Sequence, residues 1–314
     1  MKYIIGLKNN YMITTNLTGN LGNHMWQYAV CRTIAEKLGY DWGISPITSH
    51  DYFGGQSQMT FMNVDFGKPI EGITTEFHET WKHYNHVDNV NITMLNEPLY
   101  NIDDNTIMLG ANGAKGGIYQ SEDYIIDRKE DIKKWFEIKS ESKTNYDNVL
   151  TEMGIVIDDN LCVINFRGGE YRGIPNVLLR REYWKNAIDN MVSINPNMKF
   201  LLITDDVQCA NSFMPFPIQA VHVDVGFDYY VVNQAKYLII SNSTFGWWAA
   251  WLNINVKIII APKYWARHNV SDGYWATGDA YTRCFTYMDR EGRLFDFDTC
   301  KSEAIEYYKS KNII

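Results

Sequence analysis

Four short stretches carry residue types that could handle an anionic ligand. Residues 19–29 read Gly-Asn-Leu-Gly-Asn-His-Met-Trp-Gln-Tyr-Ala, a glycine-punctuated turn running into a helical pattern. Gly22 and Asn23 would there present backbone N–H groups at a helix N-terminus, where unpaired donors and the helix dipole favour negative charge. The plainer reading is a turn that caps a core helix. Residues 165–171, Asn-Phe-Arg-Gly-Gly-Glu-Tyr, set Arg167 beside two glycines. A guanidinium can take a phosphate through two parallel hydrogen bonds while bare backbone lets the ligand approach. Against this stands a local ion pair between Arg167 and Glu170. Thr204-Asp205-Asp206 follows an apolar run, and an aspartate in that place commonly caps the next helix. Asn242-Ser243-Thr244 leads into Phe245-Gly246-Trp247-Trp248. Its hydroxyls and free N–H groups make a second anion site, or serve only as a cap.

These stretches need a scaffold. From Leu161 onward, apolar runs alternate with helical patterns: strands over Leu161–Phe166, Lys199–Thr204, Ile218–Val223, Leu238–Asn242 and Val256–Ala261, and helices over Arg181–Ile194, Asp228–Tyr237 and Phe245–Leu252, with a short helix between the second and third strands. Near-continuous apolar strands separated by helices are what a parallel sheet covered on both faces requires. Open parallel sheets bind ligands beyond the carboxyl ends of their strands, where Asn165, Arg167, Asp205 and Asn242 fall. The first half predicts a strand near Tyr11–Asn16, a helix from about Asn23 to Leu38, a strand over Thr106–Gly110 and a helical pattern over Tyr119–Phe136. Residues 41–116 show no clear period. Serine, lysine, asparagine and aspartate accumulate between Lys139 and Asn160, and a boundary there gives two α/β domains, 1–150 and 151–314.

The chain has 314 residues, 46 % of them hydrophobic, enough for a large core and two domains. A net charge of −8 opposes binding to phosphate polymers, so nucleic acid is excluded as a partner and any anion must sit in a local basic pocket. The N-terminal apolar run is too short for a signal peptide, and no window approaches the ~20 apolar residues of a membrane span. The expectation is a soluble, cytoplasmic protein. Cys31, Cys162, Cys209, Cys284 and Cys300 are widely spaced, which argues against a disulfide framework or a zinc site.

Several stretches also resemble one family. Residues 19–29 are similar to Gly-x-Leu-Gly-Asn-Gln-Met-Phe-Gln-Tyr-Ala of glycosyltransferase family 11, the alpha-1,2-fucosyltransferases, with His24 for Gln and Trp26 for Phe. Gly117–Tyr124 looks like the family's Gly-Tyr-x-Gln-Ser-Glu-x-Tyr, and Thr204-Asp205-Asp206 like its Ser/Thr-Asp-Asp. Asp228–Leu252 resembles its third motif, which ends Ala-Asn-Ser-Ser-Phe-Ser-Trp-Trp-Gly-Ala-Trp-Leu. The likeness covers roughly residues 11–40 and 117–265. One departure stands out: the family's His-x-Arg-Arg-x-Asp is represented by Asn165, Arg167, Gly168 and Glu170, so only the first arginine is unchanged.

The resemblance implies a GT-B-like α/β fold, two Rossmann-like domains facing across a cleft with the acceptor between them. It implies inverting transfer of fucose from GDP-fucose to a glycan hydroxyl, the 2-OH of a galactoside, with no metal and no other cofactor. In keeping with that, Asp158-Asp159 and Asp205-Asp206 are adjacent pairs, whose neighbouring side chains do not converge easily on one ion. The donor set carried over is Gly22, Asn23, Asn165, Arg167, Asp205, Asp228, Asn242, Ser243, Thr244 and Phe245. Asp228 would accept from N1–H and the exocyclic amine of guanine. Arg167 and the helix terminus at Thr244 would stabilise the departing diphosphate. Glu170 is the candidate proton acceptor, with Glu122 and His24 as alternatives; Trp247, Trp248 and Trp251 are read as packing. The missing arginine removes a charge-assisted bond of about 1.5 to 3 kcal/mol. Either Arg172, Arg180, Arg181, Lys263 or Arg267 compensates, or the donor differs. Rival readings are another nucleotide sugar and a non-catalytic glycan- or sugar-nucleotide-binding protein. An NAD-dependent oxidoreductase lacks its Gly-x-Gly-x-x-Gly.

Overall fold

Leu161–Phe166 is buried at all six positions, and a strand without a polar face can exist only inside a sheet covered on both sides. The computed structural model describes residues 12–48, 57–70, 75–77, 81–83, 86–87, 106–109, 119–265, 268–269 and 281–310. Two compact units emerge, one running to Trp135 and the other comprising Phe61–Asn63 with the chain from Phe136 onward. No helix among the described residues is long and apolar enough to cross a membrane.

The first unit holds β1 (Met12–Leu17), α1 (Leu21–Leu38), β2 (Asp41–Thr48), β3 (Thr75–Phe77), β4 (Trp81–His83), β5 (His86–Val87), β6 (Thr106–Leu109) and α2 (Lys129–Trp135). Its four-stranded sheet has the order β2-β1-β6-β3 with every pairing parallel, and β4 pairs with β5 antiparallel. Helix α1 closes at Gly39, whose φ of 71° lets its N–H reach back to the last turn. Arg32 on that helix lies between the rings of Trp42 and Trp135, 4.6 and 4.2 Å from their centroids. The helical pattern over 119–136 resolves into 3₁₀ turns at Glu122–Tyr124 and Ile126–Arg128 before α2. Ser121 accepts from the Asp123 N–H, a local bond that competes with a continuous helix.

The second unit holds α3 (Ser140–Glu152), β7 (Leu161–Phe166), α4 (Arg181–Ile194), β8 (Lys199–Thr204), α5 (Val207–Phe213), β9 (Gln219–Val221), α6 (Val225–Gln234), β10 (Tyr237–Ile240), α7 (Thr244–Trp251), β11 (Ile258–Pro262), β12 (Thr286–Met288), β13 (Leu294–Phe295) and α8 (Phe297–Ser310). Its sheet runs β13-β12-β11-β10-β7-β8-β9, parallel throughout except β12 with β13. From β9 to β12 this is the doubly wound order 3-2-1-4-5-6, and the direction of winding reverses between β7 and β10. The α/β class and the Rossmann-like second unit are therefore as the alternation predicts.

One face of the sheet presents Cys162, Ile164 and Phe166 to Tyr183, Trp184, Ala187, Ile188 and Met191 of α4. Phe166 and Trp184 are 5.0 Å apart between centroids. On α7, Trp247, Trp248 and Trp251 are buried, with Trp247 stacked on Trp251 at 5.2 Å. They pack, as expected. Four of the five cysteines are buried, Cys284 is exposed, and none is bridged. Replacing Trp184 by alanine empties the centre of the α4 layer and is expected to cost ~3–5 kcal/mol, read as a lowered midpoint in urea unfolding; a change below ~1 kcal/mol would place the core elsewhere.

Candidate functional site

Parallel pairing of β10 with β7 sets Ile240 opposite Asn165, and the Ser241 N–H donates to the Asn165 carbonyl at 3.0 Å. The carboxyl ends of these two central strands therefore finish side by side at the switch point. Asn165 is 5 % exposed, Ser241 1 % and Asn242 3 %. Asn165 Oδ1, Ser241 Oγ and Asn242 Oδ1 have no hydrogen-bond partner among the described residues. Three buried polar atoms without partners in one place are unusual, since most such atoms are paired. Of the three, the Asn165 and Asn242 amide oxygens can only accept, and the Ser241 hydroxyl alone can also donate.

The loop after β7 is held from three sides. Asp205, just past β8, takes the Arg167 guanidinium Nη1 on one oxygen and the Gly168 N–H, at 2.8 Å, on the other. Glu170, 67 % exposed, stands 3.7 Å from Arg167. The Tyr171 hydroxyl donates to the Asn242 carbonyl at 3.3 Å and its ring lies 5.6 Å from the Arg167 guanidinium carbon. Burial raises the Tyr171 hydroxyl above its ordinary value and keeps it a donor. Of the two readings of Arg167, the structure shows the ion pair, made chiefly with Asp205 and more loosely with Glu170, at the carboxyl edge of the sheet. Asp205, expected to contact the nucleotide, is seen holding the arginine loop, and Asp206 caps α5 by accepting from the Cys209 N–H at 3.0 Å.

Opposite that loop, Ser243 caps α7, its hydroxyl accepting from the Phe245 N–H at 3.3 Å. Thr244 opens the helix, and Phe245 packs edge-on against Tyr229 at 5.9 Å. The backbone of α7 comes close to β7 because residue 246 is glycine: a Cβ there would stand 2.5 Å from Asn165 Oδ1.

Further along the same sheet edge, beyond β9, Asp228 is 5 % exposed. Its Oδ2 lies 2.7 Å from His222 Nδ1, and its Oδ1 accepts from the Val223 N–H at 3.3 Å. Helix α6 begins at Val225 and not at Asp228, because Asp224 caps it by accepting from the Gly226 and Phe227 N–H groups. His222, half exposed, was not singled out by the sequence. Its position directly after a strand was the available signal.

The glycine-rich turn in the first unit differs from expectation. Helix α1 starts at Leu21, so Gly22 and Asn23 lie inside its first turn, and Gly22 is buried. The Leu21 N–H donates to Gln58 Oε1 at 2.6 Å, and those of Asn23 and His24 reach the Asn20 carbonyl. Those donors already have acceptors, so this terminus is less open than a glycine-rich loop suggests. Asn23 Oδ1 accepts from Gln120 at 3.2 Å, while His24 and Glu122 are 0 % and 2 % exposed. Among the other cations, Lys263 is 3 % exposed and 2.5 Å from Glu303, Arg181 donates to the Met214 carbonyl, and Arg267 lies outside the described residues.

Comparison with known proteins is consistent with this picture. The model of Glycosyl transferase family 11 matches residues 2–288. An Alpha-1,2-colitosyltransferase of Escherichia coli is 30 % identical over 166 residues, 48 % of this chain and 54 % of that protein. The O-antigen biosynthesis glycosyltransferase WbnK of Escherichia coli is 29 % identical over 122 residues, 35 % of this chain and 40 % of that protein. The chain thus spans about half the length of the curated relatives it matches. Among solved structures, POFUT1 in complex with GDP aligns with a TM-score of 0.48 at 10 % identity, over 86 % of this chain and 98 % of that one. Fucosyltransferase NodZ from Bradyrhizobium gives 0.44 at 15 % identity, over 80 % and 94 %. Likenesses this distant carry no weight here, and the fold rests on the chain's own topology.

Burial lifts the Asp228 carboxyl from 3.8 to about 6, only partly offset by His222. A carboxyl raised by folding favours the folded chain while protonated; that contribution is complete below 3.8 and is lost as pH rises through about 6. Asp228→Asn removes the titration. Its unfolding midpoint should therefore rise relative to the wild type between about pH 4 and pH 7, and a difference that stays constant across that range contradicts the assignment.

Proposed function

The chain belongs to glycosyltransferase family 11, and on that premise we propose that it transfers fucose from GDP-fucose to a glycan hydroxyl, with inversion. The observation that carries this reading is the switch point between β7 and β10, where the Arg167 loop, tied to the Asn242 carbonyl through Tyr171, stands beside the start of α7. A diphosphate placed there meets a guanidinium on one side and a helix N-terminus on the other. The nucleoside then extends over β8 toward β9. Neighbouring strands are about 4.8 Å apart, so β9 lies roughly 10 Å from β7, and Asp228 and His222 flank the guanine. A relative named for colitosyl transfer makes the colitosyl nucleotide the first competing donor.

Chemically, departure of the nucleoside diphosphate builds negative charge on its terminal phosphate. Arg167 and the α7 N–H groups stabilise that charge as it develops, the electrostatic contribution that is largest in many enzymes. The acceptor hydroxyl must lose a proton as it attacks. Glu170 is exposed, whereas Glu122 and His24 are buried in the first unit, so Glu170 is the proton acceptor of this reading. The 2-OH of a terminal galactoside is the proposed acceptor, and no metal is required.

The reading is tested by measuring GDP release from GDP-fucose in EDTA, with and without terminal-galactose acceptors, beside a colitosyl donor and the common hexose nucleotides. Acceptor-stimulated release from GDP-fucose is expected; release from none of the donors would favour a protein that only binds them. Glu170→Gln should lower kcat by ~10²- to 10⁴-fold with GDP affinity little changed, and an unaltered kcat removes Glu170 from the chemistry. Arg167→Ala should abolish turnover while the unfolding midpoint falls by no more than a partly exposed ion pair accounts for, about 1 kcal/mol or less.

A further inference from the structure

The proposed diphosphate site is short of positive charge. The loop after β7 and the residues after β8 bring together two guanidinium groups, Arg167 and Arg172, and three carboxylates, Glu170, Asp205 and Asp206. A diphosphate entering this cluster needs every available cation, and Arg167 is already shared between Asp205 and Glu170.

The backbone does not allow a second cation next to Arg167. A Cβ at Gly168 would stand 2.6 Å from the Asp206 Cβ, closer than such atoms come, and a Cβ at Gly169 would collide with Asp205 Oδ2 at a φ of 29°. Residues 170 and 171 are Glu and Tyr, and Tyr171 is tied to the Asn242 carbonyl. The next position is Arg172. Its N–H donates to the Gly168 carbonyl at 3.2 Å, so the short helical turn over Gly169–Gly173 folds it back onto the glycine pair. Its Nη1 rests 3.1 Å from Asp206 Oδ2. Asp206 is in turn fixed by capping α5.

We propose that Arg172, oriented by Asp206, supplies the second cationic contact to the donor's diphosphate. Adjacent carboxylates at the end of β8, the strand next to β7, thus each hold one guanidinium: Asp205 holds Arg167 and Asp206 holds Arg172. A guanidinium has five N–H donors, so one ion pair leaves Arg172 able to bind a phosphate, and its side chain is 59 % exposed. Lys263 and Arg181 are committed elsewhere. The inference rests on the donor reading above.

The test is calorimetric binding of GDP and of GMP to the full chain, as wild type, Arg172→Gln, Arg172→Lys and Arg180→Gln. Arg172→Gln should weaken GDP by roughly 10- to 100-fold and GMP by much less, with the unfolding midpoint unmoved. Arg172→Lys should recover part of the loss, since it restores the charge without the planar fork. Arg180→Gln, at an exposed arginine, should bind as wild type. Unchanged GDP affinity in Arg172→Gln, an equal loss for GDP and GMP, or the same loss in Arg180→Gln overturns the proposal while leaving the donor reading in place. A wild-type chain that binds neither nucleotide overturns both.

Discussion

The parallel pairing of β10 with β7 is the contact on which the site depends. It joins the two halves of the winding, and the backbone bond from Ser241 to Asn165 fixes how far each strand runs before the chain leaves the sheet. From that register follow the burial of Asn165, Ser241 and Asn242, the close approach of α7 at Gly246, and the location of the Arg167 loop beside the helix start. A slip of one residue would turn each of these side chains to the other face of the sheet. The apolar layer of α4, centred on Trp184, makes that register rigid.

A second constraint is electrostatic. Asp205 and Asp206 are consecutive, yet they serve different partners: Asp205 receives Arg167 and the Gly168 N–H, while Asp206 caps α5 and receives Arg172. Contacts within the protein thus fix the shape of the loop. The same carboxylates neutralise the arginines, so on the proposed reading a donor competes with Asp205 for Arg167. Glu170 remains exposed beside this pair.

Much of the second unit is legible in the sequence. The bounds of β7, α4 and β8 coincide with the apolar runs and the helical period, because buried parallel strands are continuous and an amphipathic helix between them is periodic. The helical pattern from Asp228 starts three residues inside α6, and Asp224 carries the capping signal that marks its true start. Helix α3 lies in the polar stretch between Lys139 and Asn160 and lacks an apolar period, since only Leu150 of its residues is buried. In the first unit, β2 carries no clean alternation, and local capping at Ser121 broke an apparent helix into 3₁₀ turns. Residue types place Asn165, Arg167, Asp205 and Asn242 at strand ends, where the structure has them, but they do not give the pairings. That Arg167 chooses Asp205, that Arg172 chooses Asp206, and that His222 backs Asp228 are consequences of tertiary contact between segments that no local pattern links.

A crystal structure of the chain with GDP would show whether the switch point between β7 and β10 receives a nucleoside diphosphate. Phosphate oxygens are expected within hydrogen-bonding distance of Arg167 and of the first N–H groups of α7. GDP bound away from that edge, with Arg167 still closed on Asp205, would contradict that expectation.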